Sequence, residues 1–248
     1  MRYAVIALLL LSGQAVRPSF EVVSVKRNTT LANGGIHVEP GGRFVATSIN
    51  VFALIAVAYG ETMNALRAPQ IVGAPRWLQS ENYDITAKAT PADMDNFDRT
   101  RLLLRTLLED RFKLRAHREQ RAMPIYALVR ARPDGTLGPN LRQSIADCSA
   151  PSVKCGFAGG PRDHIKGDAV PMAILVQLLA NVSDRIVVDR TGLTGGFQID
   201  LEYSPDQTAS DKPSIFSAVN EQLGLKLEAT RGPVDVVVVD HVERPAED

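Results

Sequence analysis

Two stretches of this chain share one pattern. EDRFKLRAHREQRAMPIYALVRA fills residues 109–131, and EQLGLKLEATRGPVDVVVVDHV fills residues 221–242. Each leaves an apolar-striped segment, enters an alternating strand, meets a turn with proline, and ends in a second apolar strand. A chain that repeats such a pattern is restricted to folds that can accommodate two similar units.

The likeness extends backwards from both stretches. In the first half, RFVATSI predicts a strand. NVFALIAVAYG predicts a short apolar helix, with Asn50 as N-cap and Gly60 as its stop. QIVGAPRWL begins as a strand and breaks at Gly73 and Pro75. YDITAKA alternates, with Tyr83, Ile85, Ala87 and Ala89 on one face. Leu103, Leu104, Leu107 and Leu108 then recur at helical spacing.

The second half keeps this order. DHIKGDAV predicts a weak strand and PMAILVQLLANVS a helix, with Leu175, Leu178, Leu179 and Val182 as its stripe. RIVVD predicts a strand, RTGLTGG a turn, and FQIDLEY a strand with Phe197, Ile199, Leu201 and Tyr203 inward. KPSIFSAVNEQLG predicts the second helix. Tyr83 aligns with Phe197, Leu114 with Leu227 and Pro124 with Pro233, at offsets of 114, 113 and 109. The drift falls in turns, where length changes are tolerated.

These readings predict an α+β fold: a tandem duplication of a β-α-β-β-α-β-β unit, with sheets carrying helices on one face. The expected divisions are a signal peptide at 1–15, a first repeat with added N-terminal strands at 16–131, a linker at 132–163, and a second repeat at 164–248. FEVVSVKRN and IHVEPGGRFVA supply the added strands, joined through a Gly-Gly turn.

The first residues, MRYAVIALLLLSGQAVRPSF, have a positive start, an apolar core from Ala4 to Leu11, and small residues at Gly13 and Ala15. The apolar run is about half of what a bilayer span requires. We therefore expect a periplasmic or secreted chain beginning near Val16, with no membrane span after cleavage. Cys148 and Cys155 are the two cysteines. In an oxidising compartment they are expected to pair, closing a small ring that stabilises by about 2–3 kcal/mol. A metal site there would need more ligands than His164, the one histidine nearby in sequence.

Lys plus Arg equals Asp plus Glu at 28 each, so no net field favours nucleic acid. Aromatic content of 6% argues against a base-stacking surface. No nucleophile elbow, Walker loop or dinucleotide fingerprint occurs, and the four histidines are scattered. No cofactor or metal is expected.

The best recognition feature is the turn VVDRTGLTGG, where Asp189, Arg190, Thr191 and Leu193 can meet a ligand. The simpler alternative is a turn satisfied by its own threonines and glycines. Trp77, the only tryptophan, occupies the corresponding place in the first half, as a binding anchor or as cover for a core edge. Asp200 and Glu202 share one strand face, as an acid/base pair or as an ordinary solvated surface. His241 follows the last strand with no partner in its motif. The residues favour a non-catalytic module that binds a protein, peptide or glycan of the cell envelope. The rival is a secreted hydrolase of an envelope or polysaccharide substrate, using Asp200, Glu202 or His241.

Five strings occur in order: FEVVSVKRN, GAPRWLQSENYDITAKA, LLEDRFKLRAHREQRAMPIYALV, VVDRTGLTGGFQIDLEYSP and EQLGLKLEATRGPVDVVVVDHVERP. Together they resemble the soil-associated protein family, a domain of unknown function abundant in soil bacteria. The resemblance covers nearly the whole mature chain. It implies export, with no established activity, and hints at sensing or binding outside the cytoplasm. The element order and QLGLKLE are also similar to the short N-terminal domain of secretins and TonB-dependent outer-membrane receptors, which implies an interaction module.

Overall fold

The computed structural model describes residues 17–30, 34–60, 65–146, 155–205 and 211–246. The expected signal peptide lies outside the described residues. So does Cys148, and with it the expected Cys148–Cys155 pairing. No helix among the described residues is long and apolar enough to cross a membrane.

The chain divides into two compact units. Unit 1 joins Met1–Glu119 to Asp235–Asp248, and unit 2 is Gln120–Val234.

Unit 1 begins with β1 (Val22–Asn28), β2 (Gly35–Glu39) and β3 (Arg43–Asn50). Gly41 and Gly42 make the turn between β2 and β3 at φ 87° and 82°, where a side chain would be strained. Helix α1 (Val51–Tyr59) starts where the Asn50 side chain accepts a bond from the Ala53 N–H, and Gly60 ends it, as the sequence predicts. A 3₁₀ turn leads to β4 (Ile71–Val72), α2 (Trp77–Ser80) and β5 (Asn82–Lys88). Then come α3 (Pro91–Met94) and the long α4 (Phe97–Phe112).

The sheet order is β1-β5-β3-β2, all antiparallel. Its alternation is the one that the sequence predicts: Phe44, Ala46, Tyr83, Ile85 and Ala87 point inward and are buried. They pack on Leu54 and Ile55 of α1 and on Leu103, Leu104, Leu107 and Leu108 of α4.

Unit 2 carries β7 (Leu141–Gln143), β8 (Phe157–Gly159) and β9 (His164–Pro171). These are followed by α5 (Met172–Asn181), β10 (Ile186–Asp189), β11 (Gly196–Glu202) and α6 (Ile215–Leu223). Two of its strands, β7 and β8, arise inside the stretch expected to be a linker. The sheet order is β7-β11-β9-β8, again antiparallel throughout. Phe197, Ile199 and Leu201 face a core shared with Leu175, Leu179, Val219 and Leu223.

Element for element, the strand orders of the two sheets match. Each central strand ladder also slips once, between Ala46 and Ile49 in β3 and between Phe197 and Ile199 in β11.

The expected turn at the proline is corrected in both stretches. Arg115–Arg130 is one strand, β6, and Leu225–His241 is one strand, β12. Their sheet has the order β10-β6-β12-β4. β10 pairs in parallel with β6 only from Ile125 to Leu128, and β4 with β12 only at Val237 and Val238. Neither β10 nor β4 therefore pairs with its neighbour at Pro124 or Pro233 themselves. Each of these two stretches thus forms one long strand, not two.

Candidate functional site

One cleft lies in unit 1 and is shaped by the end of α4. Asn96 caps that helix by accepting the Arg99 N–H at 3.0 Å. The helix stops at Lys113, which takes the left-handed conformation at φ 53° while the Leu114 N–H bonds back to the Leu108 carbonyl. This turn throws the chain into β6, beside the end of β12. The hollow between them is about 900 Å³ and very open.

Charged groups of both signs line this hollow. Lys113 and Arg115 bring positive charge, Asp110 and Asp240 negative charge. Arg17 and Glu109 pair at 2.9 Å on its rim. Beside the cleft, His117 Nδ1 lies 2.8 Å from Asp240 Oδ2, and that hydrogen bond raises the imidazole above its ordinary range. His241 Nε2 lies 2.8 Å from Glu243 Oε1. A surface of this kind suits a ligand that carries both polarities, such as a peptide, better than a polyanion or polycation.

The carboxylates singled out in unit 2 have other partners. Asp200 receives Lys166 Nζ at 2.7 Å on one oxygen and lies 2.7 Å from His164 Nε2 through the other. Both partners hold its carboxyl below the usual carboxylate range, Lys166 most strongly. Glu202 lies 3.7 Å from Lys212, whose main partner is Asp163 at 2.6 Å. Asp200 and Glu202 thus belong to two different ion pairs on the outward face of β11. Arg142, Asn140 and Gln198 line a smaller hollow of about 400 Å³ beside Asp200.

The turn after β10 is bonded to itself. One oxygen of Asp189 accepts both the Thr191 N–H at 2.9 Å and its hydroxyl at 2.8 Å. The Thr191 hydroxyl oxygen accepts the Leu193 N–H, and its carbonyl accepts Arg130 Nε at 3.0 Å. Thr191 is buried and Leu193 packs on the core. The Arg190 N–H bonds to the Leu128 carbonyl, continuing β10 alongside β6. Asp189 and Thr191 are thus tied up in building the turn.

Trp77 lies in unit 1 on the short helix α2, half-buried against the core. The guanidinium of Arg244 sits 5.0 Å from its ring centre. Arg244 also grips Glu81 with Nε at 3.1 Å from each oxygen and Nη2 at 2.8 Å. The Tyr83 hydroxyl donates to Glu81 at 3.1 Å. Sequence reasoning found Trp77 but missed Glu81 and Arg244, since nothing local joins positions 163 apart.

No group of three or more metal-ligating side chains occurs among the described residues. The fold and these surfaces define an α+β protein of two similarly ordered units with open, charged hollows. The family model described as "Protein of unknown function (DUF3738)" matches residues 53–242, from inside α1 to just past β12, and the chain belongs to that family. No curated protein and no solved structure matches the chain.

Proposed function

We propose that this chain is an exported, non-catalytic binding module of the cell envelope, built from a duplicated unit and stapled by Cys148 and Cys155. The observation that carries the reading is the condition of the charged groups. Asp200 is held by Lys166 and bonded to His164, and its carboxyl lies below the usual carboxylate range, the opposite of what a general acid needs. The open hollow at the end of α4 instead offers both charges to solvent. The matching strand orders and the matching ladder slips favour descent from one copied unit.

The preferred ligand is a peptide or a short polar chain of the envelope, received at Lys113 and Arg115. The test immobilises the purified chain and passes envelope-derived peptides and peptidoglycan fragments over it. Saturable retention with unchanged ligand mass is expected, and the double variant K113E/R115E should abolish it. Cleaved ligand, or retention that the double variant leaves intact, overturns the reading.

A further inference from the structure

The contact between Arg244 and Trp77 has the chemistry of arginine recognition rather than of a surface ion pair. A carboxylate grips the guanidinium through two nitrogens, and an indole face covers it. This combination selects a planar guanidinium over an ammonium. The socket is held from its own side. The Glu81 N–H bonds to the Trp77 carbonyl at 3.0 Å, fixing the two residues within one turn, and the Tyr83 hydroxyl anchors one carboxylate oxygen. Arg27 Nη2 stands 3.7 Å from the other.

The occupant is less enclosed than its host. The Glu81 side chain is 12% exposed and that of Arg244 is 57% exposed. Arg244 follows β12 by three residues, tethered where the Glu243 N–H bonds to the Phe112 carbonyl. A tether this short gives the arginine an effective concentration on the order of millimolar. It closes the socket against free arginine but not against an arginine supported by further contacts.

We propose that Trp77 and Glu81 form a guanidinium-binding socket that the chain's own Arg244 fills, and that an arginine of a partner polypeptide takes its place. The proposal rests on the binding-module reading and names the partner side chain. It uses residues apart from Lys113 and Arg115, so the two can fail separately.

Trp77 is the only tryptophan, so its fluorescence reports on the socket. Purified wild-type chain and R244A are titrated with N-acetyl-arginine amide and with the lysine analogue. R244A should give a saturable change with the arginine compound, with an affinity at least about fivefold above that for the lysine compound. Wild type should show no saturable change over the same range. If R244A does not fold, R244K serves, because lysine keeps the charge but loses the two-pronged grip. A folded variant that gives no saturable response, or that answers both compounds alike, overturns the proposal. K113E/R115E should leave the Trp77 response in place.

Discussion

Ser48 and Ala169 occupy the same step of two different sheets. Each is the sixth residue of its strand, holds φ near the left-handed region at 47° and 50°, and precedes a helix that starts three residues on. Each donates its N–H to an aspartate oxygen, Ser48 to Asp84 at 2.8 Å and Ala169 to Asp168 at 2.7 Å. Neither is glycine, so each pays the usual left-handed penalty of about 1–2 kcal/mol. The carboxylate bond helps to offset it. Ala169→Gly should therefore be neutral or stabilising, by up to about 1 kcal/mol, after glycine's extra unfolded-state entropy is deducted. Gly196→Ala should be destabilising, because its new methyl would lie 2.8 Å from the Ala169 backbone. Urea unfolding of both variants checks the pair of signs.

His117 should titrate above the ordinary histidine range, since Asp240 favours its charged form. The folded value is raised, so the stability it contributes is complete below the unfolded value and is lost as pH rises through the folded one. Asp240→Asn should bring the midpoint down towards that of an isolated histidine. A proton NMR titration of the imidazole follows both. An unmoved midpoint in the variant would show that the 2.8 Å contact does not persist in solution.

Burial first, and then its bond to Glu81, push the Tyr83 hydroxyl up to about 12. Phenolate absorbance should place Tyr83 among the last tyrosines to ionise, and Glu81→Gln should lower its midpoint. A raised tyrosine favours folding below its unfolded value, so stability should decline from about pH 10 towards pH 12. The ring of Phe112 meets Tyr83 edge-on at 5.5 Å and is fully buried. Phe112→Ala should cost about 3–5 kcal/mol, read by the same urea method.

Asp200→Asn should change stability by less than about 1 kcal/mol, as expected for a partly exposed ion pair. Asp200 is depressed in the fold, so its contribution is present above the unfolded carboxylate value and is lost as pH falls through the folded one. Any hydrolytic activity that vanishes in this variant would restore the enzyme reading.

Periodicity made the sheets and main helices legible. Phe44, Ala46, Tyr83, Ile85 and Ala87 alternate because their strands have a single buried face, and Leu103 to Leu108 recur because α4 lies on that face. β7 and β8 were hidden because three residues each cannot display a period. Pro124 and Pro233 misled because proline is tolerated in a strand where a neighbour does not pair with it, and β10 and β4 do not reach these positions. The socket was half visible. An isolated tryptophan attracts notice, but a carboxylate and an arginine brought together by the fold carry no local mark. The turn at Asp189 and Thr191 was legible as a turn, and its bonds show why it looked like more: residues that bind ligands also build turns.

Because Gln120–Val234 interrupts unit 1, the unit that begins the chain is completed by its end. β4 has no parallel neighbour until Val237 and Val238 have been synthesised. A chain stopped short of Asp235 would leave Ile71 and Val72 as an open, sticky edge, whereas the inserted unit has all its segments in hand beforehand. During synthesis, then, the first part to emerge is the last to be finished.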